Sequence, residues 1–285
     1  MKQPGQLAGE EATARSGVNF DEPRATHHSQ SSRDEPKSSV GQFFGFLAEA
    51  SLAIVVALVI TALLRVFVFQ VFQVPSGSME QTLEQRDRIV AIRLADFSRG
   101  DIVVFEDPPA EWMGTQPAST NPVRQVLEAL YLLPDSSQGY LVKRVIGTAG
   151  DRVSCCDQSD RIIVNGVPLD ESDYLFTDAS GQAVRPSETP FDVVVPAGHI
   201  FVLGDHRDRS GDSRLHLCES TEPGVPAGMN GFVPVEDVVG PVVSVVLPPH
   251  RWRLFSTPDT FAAVPPGAEA PAAPVLGEGT CRSPR

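Results

Sequence analysis

A long apolar run near the N-terminus dominates the hydrophobic pattern of the chain. From Phe43 to about Phe72 polar residues are rare, and residues 52–64 contain no charged residue. About 20 apolar residues suffice to cross the ~30 Å hydrocarbon core of a bilayer. The pattern therefore predicts a transmembrane anchor over residues 43–71. A cleavable signal peptide is the alternative, but the run is longer than the usual apolar region of such a peptide, and no convincing small-x-small cleavage site follows it.

Beyond the anchor, short apolar runs alternate with turn residues, which is typical of β structure. A mainly β domain is therefore predicted over residues 72–256. The spacing of apolar residues by three and four predicts one short amphipathic helix at about residues 122–132. The predicted strands cover residues 88–92, 101–105, 141–146, 161–164, 191–195, 199–203 and 238–247.

The two ends of the chain have compositions that disfavour a packed core. Residues 1–42 are rich in Ser, Gln, Glu and Arg, and residues 257–285 are rich in Pro, Ala, Gly and Glu. Such segments bury too little apolar surface to offset the entropy lost on ordering. Both are predicted to be disordered tails.

The net charge of −13 disfavours a nucleic-acid partner, which would favour a basic face. The cysteines are Cys155, Cys156, Cys218 and Cys281. They form no C-x-x-C pair, and no histidine stands at zinc-finger spacing from them, so no metal site is expected. Free thiols and an oxidised pairing of Cys218 with Cys155 or Cys156 remain open alternatives.

The turn that follows the anchor contains the first candidate for chemistry, Ser78. Pro75 disfavours helix at Val74, and Gly77 widens the conformations open to the backbone, so the chain is expected to turn sharply and present Ser78. An ordinary linker turn uses the same residue types. Ser78 therefore needs a chemical partner elsewhere in the chain.

Lys143 is that candidate partner. Strand alternation places it on one face with Leu141 and Val145, while Arg144 is expected to reach solvent on the other face. A lysine on an apolar face either extends its amine to water or is buried with a lowered pKa. Lowering the pKa from about 10.4 to about 8 takes roughly 3 kcal/mol, which desolvation can supply. A neutral lysine can then act as a general base.

A third polar segment, residues 204–214, follows a predicted strand. Its acidic residues Asp205, Asp208 and Asp212 lack the alternate spacing of a calcium-binding EF-hand loop. The alternation of Asp and Arg instead predicts a self-paired polar network that holds a loop beside an active site. His206 suggests a Ser-His-Asp triad, but Lys143 is the preferred base.

Taken together, these segments resemble the bacterial type I signal peptidases, which are membrane-anchored proteases with a Ser–Lys dyad. The resemblance covers about residues 40–252. The Pro-rich residues 107–140 and the insertion after Arg214 resemble those of actinobacterial members. The motifs that support the resemblance are residues 75–79 with Thr82 and Leu83, residues 99–105, residues 143–151 and residues 204–214.

The resemblance implies a role for each motif residue. Ser78 would be the nucleophile and Lys143 its general base, while Ser76 and the Ser78 backbone N–H would form the oxyanion hole. These roles agree with the chemistry, since a serine needs a base and the oxyanion needs donors.

The supporting residues are implied in the same way. Ser210 would orient Lys143 by a hydrogen bond, and Asp212 would form an ion pair with Arg214. Two shallow pockets would accept small side chains, which explains an Ala-x-Ala substrate preference. The residues that match these substrate-binding positions are Phe72, Val74, Met79, Leu83 and Val142.

The resemblance also implies the architecture and the surroundings. The fold would be mainly antiparallel β with one N-terminal transmembrane helix in the plasma membrane, the N-terminal tail in the cytoplasm and the peptidase domain outside. The expected partners are signal peptides of exported preproteins, the lipid bilayer and the secretion translocon, with no metal or cofactor. An oxidised Cys218 is more credible in that compartment.

Two residues depart from the family pattern. Gln81 stands where proline is usual, and Arg209 stands where a small or polar residue is more common. Neither has an implied chemical role, so an active enzyme is expected. Two alternative hypotheses are a Ser–Lys protease that cuts itself, related to the self-cleaving SOS repressors, and an inactive membrane-tethered binding module.

Overall fold

The computed structural model describes residues 39–108, 112–113, 121–122 and 139–281. The chain divides into two units, Met1–Ser51 and Leu52–Arg285. Helix α1 covers Ser39–Phe67, so it begins slightly inside the segment predicted to be a tail. Residues 1–38 and most of the predicted helix at residues 122–132 lie outside the described residues.

The predicted anchor is not supported as a membrane span by the structure. Among the described residues, no helix combines the length and apolar character that crossing a membrane requires. The anchor therefore stays a prediction. Its C-terminal boundary is wrong, because residues 69–71 belong to the first strand, Phe69–Gln73. Apolar character alone does not distinguish a short strand from the end of a helix.

The described part of the second unit is built mainly of strands, and every predicted strand overlaps an observed one. Its short helices are α2 at Ser213–His216 and the 3-10 helices Arg207–Arg209, Met229–Gly231, Val235–Asp237, Pro249–Arg251 and Asp259–Ala263. The strands are β1 Phe69–Gln73, β2 Arg88–Ile92, β3 Ile102–Glu106, β4 Tyr140–Thr148, β5 Arg152–Cys155, β6 Ile162–Val164, β7 Val167–Pro168, β8 Phe191–Val194, β9 His199–Leu203, β10 Val233–Pro234, β11 Val238–Leu247, β12 Arg253–Leu254 and β13 Val275–Leu276.

These strands form two antiparallel sheets, which confirms the predicted mainly antiparallel β class. The larger sheet has the order β1-β2-β11-β3-β4-β9-β10, with β12 added on β11, and the smaller sheet has the order β13-β8-β5-β6-β7. Strand β4 lies between β3 and β9, where Lys143 faces Val103 and Arg144 faces both Ile102 and Leu203. The candidate base is therefore held in a central strand.

The core of the second unit has three clusters of buried side chains. One cluster packs residues of the smaller sheet, such as Val153 and Phe191, against Phe201 and Phe232. A second cluster lies around β1, β2 and β11 and includes Leu83. A third packs β3 and β4 against β9. Both faces of β4 are covered as a result.

The prediction of a disordered tail from residue 257 is wrong for residues 257–281. This segment lies against the β domain, where Phe261 and Val264 are buried in the core and β13 pairs with β8. The backbone of this segment approaches Gly150 so closely that a Cβ at that position would lie 2.1 Å from the carbonyl oxygen of Ala268. A few buried apolar side chains hold the segment against the domain, and the average composition of the segment does not indicate them.

The predicted pairing of Cys218 with Cys155 or Cys156 is also wrong. Cys218 forms a disulfide with Cys281, and Cys155 is paired with its neighbour Cys156. The sequence could not indicate this arrangement, because Cys281 lies in the segment predicted to be disordered. The disulfide links α2 to the end of the C-terminal segment.

Candidate active site

The turn between β1 and β2 holds Ser78 firmly inside the domain. The base of the turn is closed by two backbone hydrogen bonds, from Val74 N–H to Asp87 O at 2.9 Å and from Arg86 N–H to Val74 O at 3.0 Å. The Ser78 carbonyl accepts a hydrogen bond from His206 N–H at 3.0 Å. Ser78 is buried. The turn is therefore part of the folded domain and is more than a flexible linker.

Lys143 and Ser78 are in direct contact. The distance from Lys143 Nζ to Ser78 Oγ is 2.5 Å, and the lysine is only 1% exposed. Burial is the largest influence and lowers the pKa of Lys143 to about 8, while Asp212 raises it and Arg214 lowers it. Near pH 8 about half of the amine is thus neutral, and a neutral amine can accept the serine proton.

Two further hydrogen-bond donors lie at Ser78. The Ser76 hydroxyl donates a hydrogen bond to Ser78 Oγ at 3.2 Å. The Ser78 N–H donates no hydrogen bond within the part of the chain that the structure describes. A free N–H and a neighbouring hydroxyl are the groups that stabilise an oxyanion in acyl transfer.

The predicted ion pair between Asp212 and Arg214 is present. Arg214 donates from Nε to Asp212 Oδ1 and from Nη2 to Oδ2, each at 2.8 Å, and Gly204 N–H donates to the same carboxylate. Burial raises the pKa of the Asp212 carboxyl, but Arg214 and the groups at Ser210 and Gly204 together lower it, and the pKa lies below its usual value. The pair is buried close to Lys143 and keeps Asp212 charged.

Ser210 does not make the predicted hydrogen bond to Lys143. Its Oγ is buried and makes no hydrogen bond of good geometry among the described residues. It nevertheless lies beside the site, because a Cβ on Gly204 would meet Ser210 Oγ at 2.2 Å and the Ser78 carbonyl oxygen at 2.5 Å. Only glycine fits there, and the orienting role of Ser210 stays a prediction.

The residues predicted to bind substrate come together beside the turn between β1 and β2, which we call the nucleophile turn after the predicted role of Ser78. All of them are buried in the apolar cluster around β1 and β2, so they form one wall of apolar side chains next to Ser78. Their contact with substrate stays a prediction. The members are Phe72, Val74, Met79, Leu83 and Val142.

The expectation that Arg144 reaches solvent is wrong. Arg144 is 3% exposed and binds Asp205 through two hydrogen bonds, from Nε to Oδ1 at 2.8 Å and from Nη2 to Oδ2 at 2.7 Å. Thr82 Oγ1 also donates to Asp205, at 2.6 Å, and the guanidinium lies 4.1 Å from the centre of the Tyr174 ring. The prediction from strand alternation assumes that one face of the strand is exposed to solvent, whereas both faces of β4 are buried.

The polar network of residues 204–214 is only partly self-paired. Two of its members pair with residues outside the segment. Asp205 pairs with Arg144, and Arg207 pairs with the buried carboxylate of Glu171. Glu171 also accepts a hydrogen bond from Tyr174 at 2.8 Å. Sequence reasoning missed Glu171, since no local pattern marks it. Within the described ranges, no cluster of His, Cys, Asp and Glu could hold a metal ion.

The two departures from the family pattern both have a structural setting. Gln81 has a φ of 70°, which the ring of proline cannot adopt. Its side-chain amide donates to Thr177 O and accepts from Thr177 N–H, both at 2.8 Å. Arg209 is exposed and its Nη1 lies 3.5 Å from Glu80 Oε2. Both residues thus contact segments that surround the nucleophile turn.

A buried serine beside a buried lysine of lowered pKa, with oxyanion donors at hand, has the chemistry of a serine hydrolase in which an amine replaces imidazole. A model of the family described as signal peptidase, peptidase S26, matches residues 47–247. The chain belongs to this family and is a serine endopeptidase of it.

The chain is also similar to individual proteins. The chain is 34% identical to signal peptidase I of Mycobacterium tuberculosis over 230 residues, covering 72% of this chain and 74% of that protein. It is 29% identical to signal peptidase I of Pseudomonas aeruginosa over 224 residues, covering 66% and 68%. A crystal structure of a signal peptidase I from Enterococcus faecalis is 23% identical, with a TM-score of 0.30, and covers 52% of this chain and 97% of its own.

Proposed function

We propose that this protein removes N-terminal signal peptides from exported preproteins by cutting after small-x-small sites such as Ala-x-Ala. Ser78 is the nucleophile and neutral Lys143 is the general base. The observation that supports this mechanism most strongly is the 2.5 Å contact between Lys143 Nζ and Ser78 Oγ in a buried site.

The reaction proceeds by acyl transfer. Ser78 Oγ attacks the scissile carbonyl carbon while Lys143 takes the hydroxyl proton, and the new oxyanion accepts hydrogen bonds from Ser78 N–H and Ser76 Oγ. Collapse of this intermediate breaks the C–N bond, and Lys143 gives its proton to the leaving amine. Water, activated by Lys143, then hydrolyses the ester at Ser78 and restores the enzyme. No metal or cofactor takes part.

The Asp212–Arg214 pair supports the base because the charge of Arg214 offsets part of the charge of Asp212. Asp212 raises the pKa of Lys143 and Arg214 lowers it, so the two influences oppose each other. Burial then controls the pKa. An unbalanced Asp212 would favour charged Lys143, which cannot accept a proton.

The preference for small side chains follows from the wall beside Ser78. Phe72, Met79 and Leu83 are fully packed, so little room is left for a bulky substrate side chain. Alanine fits such shallow pockets, whereas a large residue would displace packed core side chains.

We further propose that the apolar segment before β1, residues 43–68, anchors the protein in the plasma membrane, with residues 1–42 in the cytoplasm and the β domain outside. The support comes from the apolar run in the sequence and from exposed apolar side chains on strands of the larger sheet. Phe69 and Val71 on β1 and Leu254 on β12 are exposed. The bilayer, signal peptides and the secretion translocon are the proposed partners.

A cleavage assay tests the proposal. The full-length protein in detergent is incubated with a preprotein that ends its signal peptide in Ala-x-Ala, and the product is located by mass spectrometry. We expect one cut after the second alanine by the wild type and none by Ser78→Ala. A preprotein with phenylalanine in place of that alanine should resist cutting. Failure of a folded wild type to cut the Ala-x-Ala preprotein would refute the function.

The pH dependence provides a separate check on the base. Lys143 is protonated below its pKa of about 8 and cannot accept a proton there. We therefore expect kcat/KM to rise tenfold per pH unit below about pH 8 and to level off above it. Initial rates between pH 6 and 10 measure this profile, with circular dichroism to verify the fold. A flat profile across this range would contradict lysine as the base.

A further inference from the structure

The mechanism leaves unused a buried histidine that touches the nucleophile turn at two points. His206 N–H donates to the Ser78 carbonyl at 3.0 Å, and His206 Nδ1 lies 3.0 Å from Glu80 Oε2. Glu80 stands two residues after Ser78, so one histidine contacts the turn through its backbone at Ser78 and through its side chain at Glu80. These two contacts fix the chain on the C-terminal side of Ser78.

The imidazole ring itself is fixed from several directions. It stacks on Phe176 with 3.6 Å between ring centres and 13° between planes, and its side chain is 4% exposed. Its second nitrogen, Nε2, lies 3.2 Å from Asp208 Oδ1. Nδ1 faces the Glu80 carboxylate, which only accepts hydrogen bonds when ionised, so the link forms with the proton on Nδ1.

The second ion-pair partner of Glu80, Arg209, holds its carboxylate only weakly. Arg209 approaches the same carboxylate oxygen at 3.5 Å, but its side chain is 68% exposed. Exposed ion pairs of this kind contribute little. The buried ring of His206 is thus the better-ordered partner of Glu80, and it connects the segment at residues 204–214 directly to the nucleophile turn.

We propose that His206 is a positioning residue that holds Ser78 in line with Lys143 through its bond to Glu80. This inference rests on the proposed function, because it assigns a role within the same reaction. The Ser78 Oγ must stay within hydrogen-bond reach of Lys143 Nζ, and misplacement by about 1 Å can cost about a hundredfold in rate. Loss of the Glu80 link should therefore lower kcat and leave substrate binding unchanged.

The test compares variants of the full-length protein in the preprotein assay. His206→Phe keeps an aromatic ring against Phe176 but has no donor for Glu80, and we expect kcat to fall about ten- to hundredfold with KM within about twofold. His206→Asn offers an amide N–H near the position of Nδ1, so kcat should return to within about threefold of wild type. Arg209→Ala is the matched control, because it removes only the exposed partner of Glu80, and it should leave kcat within about twofold of wild type.

Glu80→Ala removes the other end of the link and should match the effect of His206→Phe. The double variant should be no slower than either single variant, because both break one contact. Unchanged kcat in Glu80→Ala, no recovery in His206→Asn, or additive losses in the double variant would each overturn the inference. If His206→Phe does not fold, Glu80→Ala decides alone, since its side chain is 31% exposed. An inactive wild type would instead refute the proposed function.

Discussion

Replacing Lys143 with methionine will abolish cleavage and stabilise the fold at neutral pH. The serine loses its only proposed base, and removal of such a catalytic group lowers kcat by about four to six orders of magnitude. Methionine fills a similar volume without a charge, so the site should remain packed. The same preprotein assay at pH 8 measures the loss. Substantial cleavage by the folded variant would defeat the Ser–Lys assignment.

The gain in stability follows from the pKa of Lys143, which is lowered from 10.5 to about 8 by burial. Below pH 8 the wild-type fold must hold a buried ammonium, at a cost of about 3 kcal/mol relative to the unfolded chain. Between pH 8 and 10.5 the unfolded chain binds the proton and the native state does not, so wild-type stability rises with pH. Above this window the cost disappears.

Urea unfolding of both proteins at pH 7 and pH 10.5 measures this difference. We expect the methionine variant to exceed the wild type by up to about 3 kcal/mol at pH 7, with a smaller difference at pH 10.5. Ser78→Ala is the matched inactive control, and it should keep the pH dependence of the wild type because it retains Lys143. A methionine variant that is less stable than wild type at both pH values would contradict a charge cost at Lys143.

Removing the Asp205 carboxylate should destabilise the domain by about 3–5 kcal/mol, because Arg144 would be left as a buried charge without its partner. Both side chains of this pair are at most 4% exposed. The effect is read as a shift in the free energy of unfolding of Asp205→Leu. It should exceed any effect of Arg185→Ala, which breaks exposed ion pairs.

The double variant Asp205→Leu with Arg144→Met separates the charge from the packing. Replacing both members by apolar side chains removes the uncompensated charge, so much of the lost stability should return. If the double variant is as unstable as Asp205→Leu, lost packing and the lost Thr82 hydrogen bond explain the effect instead.

The sequence predicted those parts of the fold that depend on neighbouring residues. The strands follow from short apolar runs separated by turn residues, and the apolar setting of Lys143 is visible from Leu141 and Val145 alone. The contact of Lys143 with Ser78 was reached only through the family resemblance. A spacing of 65 residues along the chain carries no geometric information by itself.

The errors concern partners that are distant in sequence. Arg144 was expected in solvent, because its partner Asp205 lies 61 residues further along the chain. The tail from residue 257 was expected to be disordered, because average composition gives the same weight to Phe261 as to the prolines around it. The disulfide of Cys281 could not be predicted once that segment was excluded from the fold.

The contact of β13 with β8 has a consequence for the order in which the domain forms. Residues 275–276 supply the edge strand of a five-stranded sheet whose other members end before residue 195. Ribosomes release the chain from its N-terminus, so this sheet can reach only four strands until about 80 further residues have been synthesised. Proteases and chaperones can thus meet an unfinished edge at β8 until β13 pairs with it, and the Cys218–Cys281 bond then holds the end of that segment to the domain.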